Sequence, residues 1–313
     1  MEKRSLLPSN PRELSDLWLD GAPASESDLR AANSLAARLA CFDGLRPFSR
    51  VVQNLIAHMS HQDFDMDEAR KLIESDPALA ARILRVANSA AYRGYGPCAS
   101  VAQAIVRIGA TNVSGLAMAM SAMTLFKDLG GVGQSIRDHS AGTAAVAREL
   151  AMCFDQDTLS SKVFLAGLLH DFGKLLIIQT GDIAYAAMVA QEPSPCSLHL
   201  REQALWGFDH AILGAHVLVS WNIPEPIPQL IACHHQPKGG QGGASALAKA
   251  LDLLRLADVV DWLLGQGCDA NSPWVQRLAD SPDGVRVGLS EETLPSLWSN
   301  LRTIREEALL VFK

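Results

Sequence analysis

The sequence predicts an all-α protein made of two helical lobes. Hydrophobic residues make up 48% of the 313 residues, and aromatic residues only 6%. Apolar residues recur at i, i+3 and i+4 along most of the chain, which is typical of amphipathic helices, whereas the period-2 alternation of strands is rare. Helix-capping residues stand where these apolar runs begin. The apolar fraction is sufficient for a packed core, so we expect a folded protein.

Capping residues indicate where several helices begin and end. Asp76 followed by Pro77 is an N-cap with proline at the first helical position. Ser100 and Gln103 form a capping box, and the helix that follows should end at Gly109. The other predicted helices cover approximately residues 112–126, 135–153, 160–180, 198–205, 210–220, 225–235, 246–264 and 291–310.

Breaks in the helical pattern divide the chain into four parts. Residues 1–34 are polar and contain several turn formers, so we expect a partly flexible lead-in. Residues 35–128 form an N-terminal helical lobe, and glycines at 130–133 predict a hinge to a second lobe over residues 129–268. Residues 269–313 are a turn-rich segment and a helix, which either packs on the second lobe or forms the seam of a homodimer.

Charge and cysteine content exclude several classes of protein. Asp and Glu outnumber Lys and Arg by 34 to 27, and the resulting net charge of −7 argues against general nucleic-acid binding. The six cysteines include no CxxC pair and favour a reducing, cytoplasmic environment over a disulfide scaffold. We expect neither a signal sequence nor a membrane span, because no apolar run reaches about 18 residues.

Histidines and aspartates form an ordered set along the second half of the chain. The adjacent side chains of His170 and Asp171 can reach one ion or a pair of ions, because neighbours leave a helix about 100° apart. Lys174 follows on the same flank, where its ammonium could bind a phosphate oxygen. Asp258 stands in a leucine stripe, where a buried carboxylate is costly unless it is paired or binds metal. The other candidate metal ligands are His139, His210, His234 and His235.

A single histidine on an apolar helix face is more often a hydrogen-bonded core residue than a metal ligand. We apply that interpretation to the four histidines outside the ordered set, which are His58, His61, His199 and His216. For the five histidines and two aspartates of the set, one shared site is a better explanation than independent coincidences.

Several strings resemble a known family. The string LLHDFGK at 168–174 resembles the signature of the HD superfamily of metal-dependent phosphohydrolases. The order His, His-Asp, Lys, His, His-His, Asp resembles its HD-GYP branch. The strings DPAL at 76–79, LRVANSA at 84–90 and GFDH at 207–210 are similar to the HDOD domain. The resemblance extends over roughly residues 40–265.

The resemblance implies an HD-type helical bundle with a metal site and a role in bacterial signalling. By position, the residues that match the HD-GYP metal ligands are His139, His170, Asp171, His210, His234, His235 and Asp258. Asp171 and Lys174 would act in catalysis, with one or two divalent ions such as iron or manganese. HDOD domains have lost much of this site, and the present chain departs from them by keeping a nearly complete set.

The chain also departs from the HD-GYP pattern. The run from Gln236 to Gly240 stands where that branch has its Gly-Tyr-Pro loop, and Ser135 stands where three-metal members have a glutamate. Two functions stay open. The first is a signalling protein whose metal site hydrolyses a phosphoester or nucleotide. The second is a non-enzymatic module that binds a signalling protein and has a structural or vestigial metal site. Nucleic-acid binding through basic N-terminal helices is the least favoured alternative.

Overall fold

The computed structural model describes residues 26–42, 51, 52, 54, 55, 66–89, 92, 96–124, 126, 129–191, 197–236 and 245–312. Within these residues it contains sixteen helices with defined bounds, further helical residues at 51, 52, 54 and 55, and no strand, which confirms the predicted all-α fold. No helix in this part of the chain is long and apolar enough to cross a membrane.

In the described part of the chain before residue 129, the helices with defined bounds are α1 (Glu26–Ala40), α2 (Met66–Glu74), α3 (Pro77–Asn88), α4 (Val101–Ile108) and α5 (Ala110–Thr124). The predicted caps are confirmed. The carboxylate of Asp76 accepts the backbone N–H groups of Ala78 and Leu79, and Ser100 accepts that of Gln103. Gly109 ends α4 with a φ of 92°, which glycine adopts without strain.

The helices of the second half are α6 (Gly130–Cys153), α7 (Asp157–Leu169), α8 (Phe172–Gln179), α9 (Ile183–Ala190), α10 (Leu198–Trp206), α11 (His210–Ser220), α12 (Ile227–Cys233), α13 (Ala246–Gly265), α14 (Pro273–Gln276), α15 (Pro282–Val287) and α16 (Leu294–Phe312). Helix α6 is central, since α7, α13 and α16 all pack against it. The C-terminal helix α16 buries Leu301 and Ile304, so it packs on the second lobe, one of the two predicted arrangements. The homodimer stays a prediction.

One hydrophobic core connects the helices that the sequence assigned to two lobes. It includes Ile83 and Leu116 from the first half and Phe172 and Leu254 from the second. Helix α5 packs against α7 across the predicted boundary. The second lobe is therefore supported on one side by the first, and the two are not separated by solvent at this contact.

The structure differs from the predicted lead-in at residues 26–34, which are helical. Helix α1 packs against α10 and α11 of the second lobe and buries Ala31, Ala32 and Leu35. Arg30 and Asn33 are exposed, and the many polar residues of this segment concealed the apolar stripe. Residues 1–25 lie outside the described part of the chain.

Two further expectations about helix boundaries were wrong. The predicted hinge at 130–133 forms the start of α6 instead. The predicted helix over 160–180 is interrupted at His170 and Asp171, between α7 and α8. After this break, α8 packs very closely on α11: a Cβ at Gly173 would lie 1.9 Å from the backbone oxygen of His210. The apolar pattern continues through the break, which is why periodicity did not predict it.

The contact at Gly173 predicts a sharp difference between two Gly-to-Ala substitutions. Gly173→Ala should lower the free energy of unfolding by about 1–3 kcal/mol, because backbone atoms obstruct the new methyl group. Gly131→Ala should change it by at most about 1 kcal/mol, since no atom lies within 4 Å of a Cβ there. Urea denaturation of both variants measures this difference. Equal effects would contradict the close packing of α8 on α11.

Candidate metal centre

The seven predicted ligands meet at one place inside the second lobe. They are His139 on α6, His170 and Asp171 at the α7–α8 junction, His210 at the start of α11, His234 and His235 after α12, and Asp258 on α13. Three overlapping groups each have ligand atoms within 4.8 Å of one another: His139, His170 and Asp258; His170, Asp171 and His234; and His210, His234 and His235. The structure thus brings all seven together, and their binding of metal stays a prediction.

Asp171 lies between these groups and is almost completely buried. Its Oδ1 is 3.2 Å from Nε2 of His210 and 3.5 Å from Nε2 of His170. Its Oδ2 accepts a 2.7 Å hydrogen bond from Nζ of Lys174. Burial alone would raise the pKa of the Asp171 carboxyl, but the neighbouring ring of His170, the Lys174 ammonium and the hydrogen bond with His210 hold that pKa well below its usual range. Asp171 is therefore an ionised carboxylate that can face two ions.

A chain of buried charged groups fixes His139. Asp261 accepts the Nδ1–H of His139 at 2.7 Å and also a 2.8 Å hydrogen bond from Nε of Arg305 on α16. Nε2 of His139 is 2.9 Å from Asp258. Burial would lower the pKa of His139, but hydrogen bonds to Asp258 and Asp261 outweigh it and raise that pKa to about 10. Because Asp261 accepts the Nδ1 proton, Nε2 is the nitrogen directed at a metal.

Glu202 fixes His210 in the same way. Its Oε2 accepts both the backbone N–H of His210 at 2.8 Å and the ring Nδ1–H at 2.7 Å, and Tyr185 donates its hydroxyl to Oε1 at 2.5 Å. Burial would lower the pKa of His210, but the Glu202 carboxylate raises it to about 9. Nε2 of His210 then lies 3.1 Å from Nε2 of His235.

His170 and His234 provide the test of whether a metal fits. Each donates its Nδ1–H to a backbone carbonyl three residues earlier, at 2.8 Å to Gly167 and 2.6 Å to Ile231. Each Nε2 is therefore a bare lone pair, and both are buried without a hydrogen-bond partner among the described residues. Burial also lowers the pKa of both rings, to about 3 for His234. Buried polar atoms normally have partners, so two neutral imidazoles of this kind fit a divalent metal.

Sequence reasoning missed the carboxylates that hold the ligands. Asp261 follows Asp258 by nearly one helical turn, and this spacing was the available signal. Glu202 gave none, because its neighbours Arg201 and Gln203 are also polar and nothing in the local sequence distinguishes it. His199, interpreted as an ordinary core residue, stacks on His235 with ring centroids 4.3 Å apart. His58 and His61 lie outside the described residues.

An open cleft of about 710 Å³ borders the centre. Its wall includes His139, Asp171 and Lys174 from the centre and Trp262 and Arg305 from α13 and α16. A small molecule in this cleft would contact two of the predicted ligands directly. The arrangement thus combines a buried, histidine-rich set of donors with one accessible side.

Comparison with known proteins identifies the family. Residues 45–237 match the family described as the HDOD domain, so the chain belongs to that family. A curated relative from Treponema pallidum (strain Nichols), named "Uncharacterized protein", is 24% identical over 182 residues, which are 56% of this chain and 35% of the relative. The matched region thus spans about a third of that relative's length.

Solved structures share the fold at low identity. An HDOD domain protein from Geobacter sulfurreducens has a TM-score of 0.68 at 21% identity, covering 90% of this chain and 98% of its own. A protein from Shewanella amazonensis SB2B, named "Putative metal-dependent phosphohydrolase", has a TM-score of 0.65 at 19% identity, covering 91% and 99%. A "Putative signal transduction protein" from Marinobacter aquaeolei VT8 has a TM-score of 0.62 at 21% identity, covering 97% and 68%.

The role of Asp261 predicts a metal-binding defect. Asp261→Asn should lower the affinity for Mn²⁺ by about 10–100-fold, because His139 loses the carboxylate that orients it. Asp252→Asn is the matched control, since Asp252 is also a buried, arginine-paired carboxylate on α13 but bonds Arg286 away from the centre. Calorimetric titration of both variants measures the affinities. A similar loss in the control would contradict a specific role for Asp261.

The raised pKa values predict how the metal-free protein responds to pH. Since the pKa of His139 is about 10 and that of His210 about 9, against 6.5 for a free side chain, both ion-paired networks stabilise the fold fully below pH 6.5. This stabilisation should be lost progressively as the pH rises towards 10.

Urea denaturation in the presence of a chelator, at pH 6 to 10, measures the effect. The control variant His216→Asn should show the same loss of stability with rising pH, because burial lowers the pKa of His216 to about 4. Stability that does not fall in this range would contradict the charged state of both rings.

Proposed function

We propose that this chain is a cytoplasmic regulatory protein of bacterial signal transduction that hydrolyses a phosphoester at a divalent metal centre. The observation that supports this most directly is the pair of partnerless Nε2 atoms, on His170 and His234, beside the ionised Asp171. The accessible cleft at the same centre supports a ligand-binding role. The names of the structural neighbours, which mention phosphohydrolase and signal transduction, agree with it.

Two ions are the most that these residues would hold. His139, His170 and Asp258 would bind one, and His210, His234 and His235 the other, with Asp171 between them. Imidazoles mixed with carboxylates suit iron, manganese or a similar metal. When bound, such ions lower the pKa of a water molecule and withdraw charge from phosphoryl oxygens.

The chain's own residues would position and neutralise the phosphate. Burial would lower the pKa of Lys174, but Asp171 outweighs it and raises that pKa, so the ammonium stays charged at neutral pH. The hydrogen bond to Asp171 fixes this ammonium at the wall of the cleft. There it would stabilise negative charge that develops on the phosphoryl oxygens. Because the other side of the centre is buried, bulk water would reach the centre through the cleft.

A non-enzymatic interaction module is the second candidate. One observation favours it: two of the histidines have hydrogen-bond partners without a metal. His139 bonds two carboxylates, and His210 bonds Glu202. In that case the centre would be structural or vestigial, and the partner would be a signalling protein or a second copy of the chain. For the enzyme, the partner would be a phosphorylated small molecule or nucleotide. The net charge of −7 disfavours nucleic acid in both cases.

The two candidates predict different results from one pair of measurements. Wild-type protein should contain metal by elemental analysis and should hydrolyse at least one member of a panel of phosphomonoesters, phosphodiesters and cyclic dinucleotides. The double variant His170→Ala/Asp171→Ala should lose the metal and at least about 10²-fold in turnover, because it removes one donor of the first group and the carboxylate that lies between the two groups.

His216→Ala is the control, because this histidine lies on α11 but outside the ligand groups. Wild-type protein without metal would contradict the metal centre itself. Metal without turnover on any phosphoester would support the interaction module in place of the enzyme.

A further inference from the structure

We infer that Arg305 binds a second phosphate group of the substrate, so that the substrate is a small molecule with two separate phosphates. This inference rests on the proposed function, because it places the reacting phosphate at the metal centre. It adds the C-terminal helix α16, which lies outside the residues 45–237 that match the family, to the substrate site.

Arg305 lies in the wall of the cleft that also contains His139, Asp171 and Lys174. Its Nε donates a 2.8 Å hydrogen bond to Oδ1 of Asp261, whose side chain is only 1% exposed, whereas the side chain of Arg305 is 18% exposed. The arginine is thus anchored on its buried side and reaches solvent on the cleft side.

The anchoring bond leaves the outer edge of the guanidinium available. Nε makes the hydrogen bond to Asp261, and among the described residues neither Nη1 nor Nη2 of Arg305 makes one. The two Nη atoms form a planar pair of donors, which matches the spacing of two oxygens on one phosphate group. Because the bond at Nε fixes the plane, little side-chain entropy would be lost when a phosphate binds.

Two glycines make room for the anchored arginine. A Cβ at Gly142 on α6 would lie 1.8 Å from Oδ1 of Asp261 and 3.2 Å from Cγ of Arg305. A Cβ at Gly265, the last residue of α13, would lie 3.1 Å from Nη2 of Arg305. Side chains at these positions would displace the pair, so three helices together define the place of the guanidinium.

The cleft is large enough for a molecule bigger than a single phosphate. Its volume of about 710 Å³ lies within the range of sites for complete small molecules, about 300–1,000 Å³. Lys174 is at the metal-centre end, with its ammonium bonded to Asp171. Arg305 is the guanidinium of the wall, whereas the ring of His139, which also lines it, belongs to the metal centre, and Trp262 offers an aromatic surface for the part of the molecule between or beside the phosphates. One phosphate beside Lys174 and one at Arg305 would engage both side chains.

Binding of non-hydrolysable phosphonates to the metal-loaded protein tests this assignment. The probes are α,ω-alkane bisphosphonates with two to six carbons, each compared with the monophosphonate of the same chain length. The best bisphosphonate should bind at least about tenfold more tightly than its monophosphonate, since it gains charged hydrogen bonds to Arg305.

Arg305→Lys should reduce this advantage to about twofold or less, because lysine retains the positive charge beside Asp261 but lacks the planar pair of donors. Its metal content should equal that of wild type, which shows that the centre has survived. Arg302→Lys is the control, because Arg302 is on the same helix and its Nη2 donates to the backbone oxygen of Cys268. The control should keep the full advantage.

No advantage of any bisphosphonate in wild type, or an unchanged advantage in Arg305→Lys, would overturn the assignment. A different result would contradict the proposed function, namely bound metal without turnover on the phosphoester panel. The phosphonates need no turnover, so their binding still decides the role of Arg305 in that case. Wild-type protein that holds no metal would remove both proposals together.

Discussion

The second lobe is organised around one buried negative charge, the carboxylate of Asp171. A carboxylate that is 2% exposed costs several kcal/mol to desolvate unless opposite charges or donors surround it. Lys174 provides the direct ion pair, and the imidazoles of His139 on α6 and His210 on α11 lie beside the carboxylate. The break between α7 and α8 is what places this carboxylate at the convergence of the helices, and the close approach of Gly173 to α11 holds the break in position.

The imidazoles around this charge are oriented by two different means with the same result. His139 and His210 give their Nδ1 protons to the buried carboxylates of Asp261 and Glu202. His170 and His234 give theirs to carbonyls in their own preceding helices. In each ring the Nε2 atom is therefore the one that faces the ligand groups. Orientation of this kind restricts ring rotation and raises ligand basicity, so these outer residues are as much a part of the centre as the ligands are.

The local sequence was sufficient to predict the candidate ligands, but it did not predict the residues that hydrogen-bond and orient them. His170 and Asp171 are adjacent, and Asp258 is conspicuous in a leucine stripe, so each could be recognised from its neighbours in the chain. Arg305 reaches Asp261 across 44 positions, and in the sequence of its own helix nothing distinguishes it from the other arginine, Arg302. The break at residues 170–171 was missed for a similar reason, because it is imposed by packing on α11 while the apolar pattern continues through it. Partners of buried charges are set by tertiary structure, which periodicity does not encode.

Whether the ligand nitrogens have hydrogen-bond partners is more informative about metal binding than the presence of the ligands alone. His139 and His210 are satisfied without a metal, so they are compatible with either function. The Nε2 atoms of His170 and His234 are not, and each buried unsatisfied group costs about 1–3 kcal/mol. A vestigial core could remove that cost by replacing either imidazole with an apolar side chain. Two such costs, next to an ionised Asp171, would be compensated if a metal bound there. This balance of energies supports the proposal of a metal-loaded centre over that of a relic.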